Sequence, residues 1–386
     1  MYVDHLSLHD FRSWPTLDVQ FGAGVTAFVG RNGQGKTNAV EAIDYLSRLS
    51  SHRVATDAPL VRQGAGQAVV RAAVVRTDRR ATLEVEINPG RSNRARLNGS
   101  PLPRARDIIG MLRSVVFAPD DLVLVKGDPS ERRRFLDDLL MQATPRYVGI
   151  KSDYDRVLKQ RNSLLRTASN ARSSMQAAMS TLEVWDERLI ALGSQIMVAR
   201  QDLTRDLEPL LASTYEAVAR SARRSEARIE YRPRFAEPAS EVLDEGAFAG
   251  LLAAELERRR KDELVRGITL VGPHRDELVC HLGDLPVKGY SSHGESWSFA
   301  LALRLASYES LRGADIGVLD DPVLILDDVF AELDESRRDS LAELVASAEQ
   351  VIVTAAVPDD VPAALRGQRL FVADGSVSRE TTEAAS

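Results

Sequence analysis

One eight-residue stretch restricts this chain more than any other: Gly30-Arg31-Asn32-Gly33-Gln34-Gly35-Lys36-Thr37 matches Gly-x4-Gly-Lys-[Ser/Thr] in full. Such a loop cradles phosphate only where a strand leads in and a helix leads out. The glycines must turn consecutive backbone N–H groups towards one anion. Both flanks are present. Gly24–Val29 is a continuous apolar run that predicts a buried strand, and Asn38 to about Leu49 predicts a helix whose N-terminal dipole strengthens the anion site. Read this way, Gly30, Arg31, Asn32, Gly33, Gln34, Gly35 and Asn38 line a nucleotide site. Lys36 brings a point charge to the β- and γ-phosphates of ATP, and the Thr37 hydroxyl is a ligand for Mg2+.

A second element answers the first. Pro322-Val323-Leu324-Ile325-Leu326-Asp327-Asp328 sets four apolar residues before two carboxylates, as in a buried parallel strand whose C-terminal end carries a site. Alone, the acidic pair could equally cap a helix. With residues 30–37 in the same chain, Asp327 is placed to hold Mg2+ through water and Asp328 to orient or deprotonate the attacking water. Lys36, Asp327 and Asp328 are the expected catalytic residues, and Thr37 with Asp327 the expected metal site. A third element, Ser292-His293-Gly294-Glu295, opens a predicted helix that runs to about Leu311. Serine and glycine at a helix N-terminus favour an anion; a plain N-cap with an acidic first turn is the simpler alternative. His293 has no partner pattern for metal binding or catalysis.

Short alternating strands dominate the first third: Tyr2–Leu8, Leu17–Phe21, Val69–Val75 and Ala81–Ile87, with Asn98-Gly99 as a hairpin turn. From Pro129 the pattern turns helical. Leu182, Trp185, Leu189, Leu192, Ile196, Ala199, Leu203, Leu207 and Leu210 recur at three or four residues, the seam of a long amphipathic helix or coiled coil. An earlier run, Tyr154, Val157, Arg161, Leu164 or Leu165, and Ala168, keeps that spacing with one charged break. Polar residues 169–174 then read as the tip of a helical hairpin, although an ordinary helical subdomain explains the same pattern. From residue 295 helix and strand alternate, which implies a parallel sheet. Helices 295–312 and Glu335–Ala348 alternate with strands Val323–Leu326, Gln350–Thr354 and Arg369–Val372. The expected fold class is α/β, with residues 1–128 and 267–386 forming a head and residues 129–266 an inserted helical arm.

Composition excludes several classes. No apolar run approaches the ~20 residues of a membrane-spanning helix. Cys280 is the only cysteine, which leaves no disulfide framework and no cysteine metal site. The charged start reads as a strand rather than a signal peptide, so a cytoplasmic location is expected. The net charge of −6 conceals an asymmetry: residues 61–113 hold eleven Arg against four acidic residues, and residues 314–386 hold sixteen acidic residues against five Arg. Screening limits surface fields to ~8–10 Å, so local basic surface rather than total charge governs contact with nucleic-acid phosphates.

Together the three elements resemble the ATP-binding-cassette (ABC) ATPases, whose signature reads Ser-Gly-Gly-Gln. This chain departs from it at His293 and Glu295, and Ala331-Glu332-Leu333-Asp334 resembles the D-loop of the class. Further blocks are similar to one family within it, the RecF family of bacterial recombination mediators. They are Asp10-Phe11-Arg12, Ser51-His52-Arg53, Phe117–Leu122, Gly127–Asp137, Arg161-Asn162, Gly272-Pro273-His274-Arg275-Asp276 and Leu326–Asp334. The resemblance implies an ATPase head of the structural-maintenance-of-chromosomes (SMC) type with a short helical arm, in which ATP joins two copies head to tail. Carried over, Lys36, Thr37 and Asp327 bind Mg-ATP and Asp328 supports hydrolysis. Ser292 and Gly294 serve the partner's nucleotide in trans, and Glu295 stands where the signature usually has Gln. Arg12 and Arg53 are candidates to touch nucleotide or couple it to DNA. The family's role implies binding to single-stranded DNA, gaps and single-strand/duplex junctions, with RecO and RecR, to load RecA during repair and the SOS response. Hydrolysis would be weak and DNA-stimulated. The alternative is another SMC-like or transporter-type ABC ATPase. The long helical insertion and the lack of an evident membrane-partner region argue against a transporter.

Overall fold

The computed structural model describes residues 1–77, 79–170, 175–219, 226–234, 242–313 and 320–379, and the chain divides into two compact units. The first comprises Met1–Leu122, Leu210–Ser225 and Ser292–Ser386. At its centre is a parallel sheet in the order Gln368–Ala373, Gly24–Val29, Gln350–Ala355, Val323–Asp327, Ser114–Phe117, with Ser376–Arg379 antiparallel at one edge. Val323–Asp327 and Gln350–Ala355 are buried at every residue, which is why their centres, 323–326 and 351–353, read as unbroken apolar runs rather than alternating ones. The helix Lys36–Arg48 buries Ala39, Val40, Ala42, Ile43 and Leu46. It is the helix expected after the glycine loop.

A second sheet in this unit is antiparallel: Trp14–Gln20, Tyr2–Phe11, Ala68–Arg76, Arg79–Ile87, Arg94–Leu97, Ser100–Pro101. Its strands alternate because one face is covered: Leu6, Leu8, Val70, Ala72, Leu83 and Val85 are buried, whereas Arg71 is exposed. Asn98 and Gly99 make the expected tight turn, with φ of 51° and 81°.

The second unit comprises Val123–Pro209 and Glu226–Ser291. It holds the helices Pro129–Ala143, Arg146–Asn170 and Glu245–Arg266, and most of Met175–Val218. Residues 171–174, most of the expected hairpin tip, lie outside the described residues. The bounds differ from those expected. Residues 267–291 group with the helices instead of the C-terminal head, and residues 210–225 group with the first unit. The reason is a strand that the sequence pattern did not reveal. Ala227–Arg232 pairs with Glu277–Leu282, and Leu285–Pro286 completes a separate three-stranded sheet.

This unit has a polar centre. Arg161, the apparent charged break in the helical seam, is fully buried. It donates to Asp186 Oδ1 at 2.6 Å, Glu263 Oε2 at 2.6 Å and Thr269 Oγ1 at 2.8 Å. Arg200 grips Asp137 through two bonds of 2.9 Å and donates to Pro273 O at 2.6 Å. Tyr147 also donates to Asp137, at 2.8 Å. Burial lowers the His274 pKa to about 3, which keeps the ring neutral. Its Nε2–H therefore donates to Thr269 O at 3.2 Å, and Nδ1 accepts from Tyr154 Oη at 2.7 Å. The motif blocks Gly127–Asp137, Arg161-Asn162 and Gly272–Asp276 thus meet in one buried lock, in which Asn162 Oδ1 takes the Thr269 N–H at 2.7 Å and Arg133 donates to Asp276 O at 2.8 Å. No helix among the described residues is long and apolar enough to cross a membrane.

Candidate functional site

Strand Gly24–Val29 delivers the chain into the loop at Gly30, where a Cβ would lie 2.3 Å from Val372 O. Glycine is needed there for close packing of the neighbouring strand. Gly33 and Gly35 have φ of 85° and 99°, a region that strains L side chains. Helix Lys36–Arg48 starts at Gly35 with no side-chain cap, so its first N–H groups point at the loop's mouth and suit an anion. Lys36 is 3% exposed, and its Nζ lies over the loop, 2.7 Å from Gly30 O and 3.4 Å from both Arg31 O and Asn32 Oδ1.

The loop is braced from outside. Trp14 Nε1 donates to Gly35 O at 3.0 Å, and Asn38 Nδ2 donates to Ser13 Oγ at 2.8 Å. Gln34 Oε1 accepts the Asp374 N–H at 2.8 Å. Arg31, Asn32 and Gly33 are exposed at the loop's outer edge.

The strand bearing Asp327 ends beside this loop. Thr37 Oγ1 donates to Asp327 Oδ1 at 2.9 Å, joining residues 290 apart in sequence. Thr354 Oγ1 donates to the same oxygen at 2.7 Å and accepts the Asp328 N–H at 2.9 Å. Thr354 escaped the sequence reading, although a threonine at the end of the apolar run Val351–Val353 was the available signal. Asp328 is left-handed, φ 50°, and turns the chain directly after Asp327. Burial raises the Asp327 pKa, the adjacent Asp328 charge adds to this, and the Thr354 and Thr37 hydroxyls draw it back. Among the described residues no Lys or Arg forms an ion pair with Asp327. A buried carboxylate met only by hydroxyls is a fitting oxygen ligand for a hard cation such as Mg2+.

Ser292 and Glu295 cap helix His293–Arg312 reciprocally. Ser292 Oγ accepts the Glu295 N–H at 3.2 Å, and Glu295 Oε2 accepts the Ser292 N–H at 2.8 Å. A Cβ on Gly294 would lie 2.8 Å from an Arg337 terminal nitrogen. Arg337 also donates to Ser298 Oγ at 3.0 Å and pairs with Asp334, so it fastens the segment after Asp327 to this helix. The sequence offered no signal for Arg337.

A parallel sheet carrying a P-loop, a buried aspartate at a neighbouring strand's end, an adjoining antiparallel sheet and the helix capped by Ser292 and Glu295 define an ABC-type ATPase head of the SMC class. The family model described as RecF/RecN/SMC N terminal domain matches residues 2–378. This chain belongs to the RecF family. It is 57% identical to the DNA replication and repair protein RecF of Nocardioides sp. and 56% identical to that of Frankia alni; each match covers 98% of this chain and 100% of the relative. A solved structure of the recombination mediator protein RecF with ATP, in the RecFOR pathway, superposes with TM-score 0.87 at 27% identity over 98% of both chains. An Smc head domain from Pyrococcus furiosus shares the fold at TM-score 0.54 and 17% identity, over 98% of this chain and 95% of that one.

Proposed function

We propose that this chain is an ATP-dependent DNA-binding protein of recombinational repair. It would act at single-stranded DNA, gaps and single-strand/duplex junctions with RecO- and RecR-like mediators, helping to load the recombinase and supporting the SOS response. The observation that carries the ATP-binding part is Asp327, buried at the lip of the P-loop with its carboxylate against the Thr37 hydroxyl. Family membership and the ATP-bound relative support the rest.

In this reading the loop N–H groups and Lys36 hold the β- and γ-phosphates, and Thr37 and Asp327 hold Mg2+. The bound cation would neutralise charge on the transferring phosphoryl group. Asp328 orients the attacking water, but its carboxylate sits on a stem one methylene shorter than glutamate's, which suits slow turnover. One P-loop and one signature helix per chain call for two chains, with Ser292, Gly294 and Glu295 facing the partner's nucleotide. The test is sedimentation with ATP, ADP or no nucleotide, each with gapped duplex and single-stranded DNA. ATP alone should give a dimer, and Ser292→Arg should abolish it while leaving ATP binding to the monomer. A chain that stays monomeric with ATP and DNA would remove the composite site.

A further inference from the structure

Two arginines that the sequence singled out, Arg12 and Arg53, end on one carboxylate. Glu41 lies on the P-loop helix and is 0% exposed. Arg12 donates to it twice, from Nε to Oε2 at 2.9 Å and from a terminal nitrogen to Oε1 at 2.6 Å, the two-pronged geometry that fixes a guanidinium most firmly. Its other terminal nitrogen donates to Pro59 O at 3.1 Å. Ser51 Oγ donates to Glu41 as well. Arg53 uses a single terminal nitrogen, which donates to Glu41 Oε2 at 3.1 Å and to Asn38 Oδ1 at 3.0 Å.

The two cations are therefore unlike. Arg12 is engaged at all three nitrogens and its side chain is 15% exposed. The Arg53 side chain is 36% exposed, and among the described residues its Nε and second terminal nitrogen donate to no protein group. Asn38 is the third residue of the helix that begins at Lys36, so the Arg53 guanidinium is tied to the first turn of the helix whose N-terminal end faces the loop. Left alone, a long arginine stem samples many rotamers, and ordering it costs entropy on binding. Two guanidinium groups sharing Oε2 would also repel each other without the carboxylate between them.

We infer that Glu41 is a positioning residue of the nucleotide site. Braced by Arg12, it holds Arg53 with the free guanidinium edge turned to the phosphate oxygens of a bound nucleotide. This rests on the ATP-binding reading above. A double-mutant cycle on the full chain with Mg2+ and a fluorescent ATP analogue tests it: wild type, Glu41→Gln, Arg53→Ala and the double variant, with Lys36→Ala as control. Each single change should weaken binding roughly 10-fold, and the double variant should be within about two-fold of Arg53→Ala, because Glu41 acts through Arg53. A carboxylate that merely supports the fold would weaken binding equally in both backgrounds, so losses that multiply overturn the inference. Wild-type affinity in Glu41→Gln does the same. If Glu41→Gln does not fold, Glu41→Asp replaces it in the cycle; it keeps the charge but withdraws it by one methylene, and the same outcomes decide. Absence of ATP binding by the wild type would overturn the functional reading itself, independently of Glu41.

Discussion

The carboxylates at the heart of the helical lock and the one beside the P-loop are treated differently. In the helical unit Asp137, Asp186 and Glu263 are each met by a buried arginine, Arg200 or Arg161, and their charge is spent within the fold. In the P-loop unit Asp327 is buried just as deeply but is answered by the hydroxyls of Thr37 and Thr354. A carboxylate paired with a guanidinium locks helices together. One paired with hydroxyls keeps its appetite for a cation. Burial of charge thus serves cohesion in the helical lock, whereas at Asp327 it leaves a carboxylate suited to the cation site proposed above.

Cutting the helical lock should have the largest effect. Arg161→Ala leaves Asp186 and Glu263 without their shared cation, and it should cost about 3–5 kcal/mol in urea unfolding. A loss under about 1 kcal/mol would show that the polar centre does not hold the unit. Next comes the P-loop. Lys36→Arg keeps a charge but misplaces it, so single-turnover ATP hydrolysis should fall by roughly 100-fold or more, with nucleotide binding partly retained. Equal rates in variant and wild type would take Lys36 out of the site.

A pH profile sharpens the contrast further. Burial lifts the Asp276 pKa from 3.8 to about 6, partly opposed by the hydrogen bond from Tyr231 and the charge of Arg200. The native state therefore holds this proton more tightly than the unfolded chain. Its contribution is full below pH 3.8 and is lost as the pH rises through about 6. Linkage puts the change at about 2–3 kcal/mol. Asp276→Asn should flatten that part of the stability profile, and an unchanged slope between pH 4 and 6 would place the titration elsewhere. The smallest effect is at the Ser292 helix cap. Ser292→Ala removes one cap bond and should cost about 1 kcal/mol by thermal unfolding. A loss of ATP-dependent association larger than the loss of stability would separate the proposed trans role from the cap.

Much of the P-loop unit was legible because its chemistry is contiguous. Residues 30–37 carry loop, lysine and threonine together, and Val323–Asp327 carries strand and carboxylate together. Ser114–Phe117 and Ala227–Arg232 were missed because strands so short give little periodicity and no glycine loop or acidic pair adjoins them, and with Ala227–Arg232 went the bounds near 266. Arg161 was read as an interruption for a related reason. Hydrophobic patterning assigns charge to the surface, and only the neighbours from other helices reverse that assignment.

The sequence by itself determined the parts whose geometry is local: the glycine loop with its helix, the Asn98-Gly99 turn, the acidic strand end and the Ser292 cap. Backbone sterics and adjacent side chains suffice to set these. Tertiary structure alone decided the partnerships. It brought Thr354 and Thr37 to one oxygen of Asp327, Arg12 and Arg53 to Glu41, and Arg161 to three separate segments. No residue's own neighbourhood in the chain encodes such meetings, because a buried charge is tolerated only where packing supplies its partner from far away.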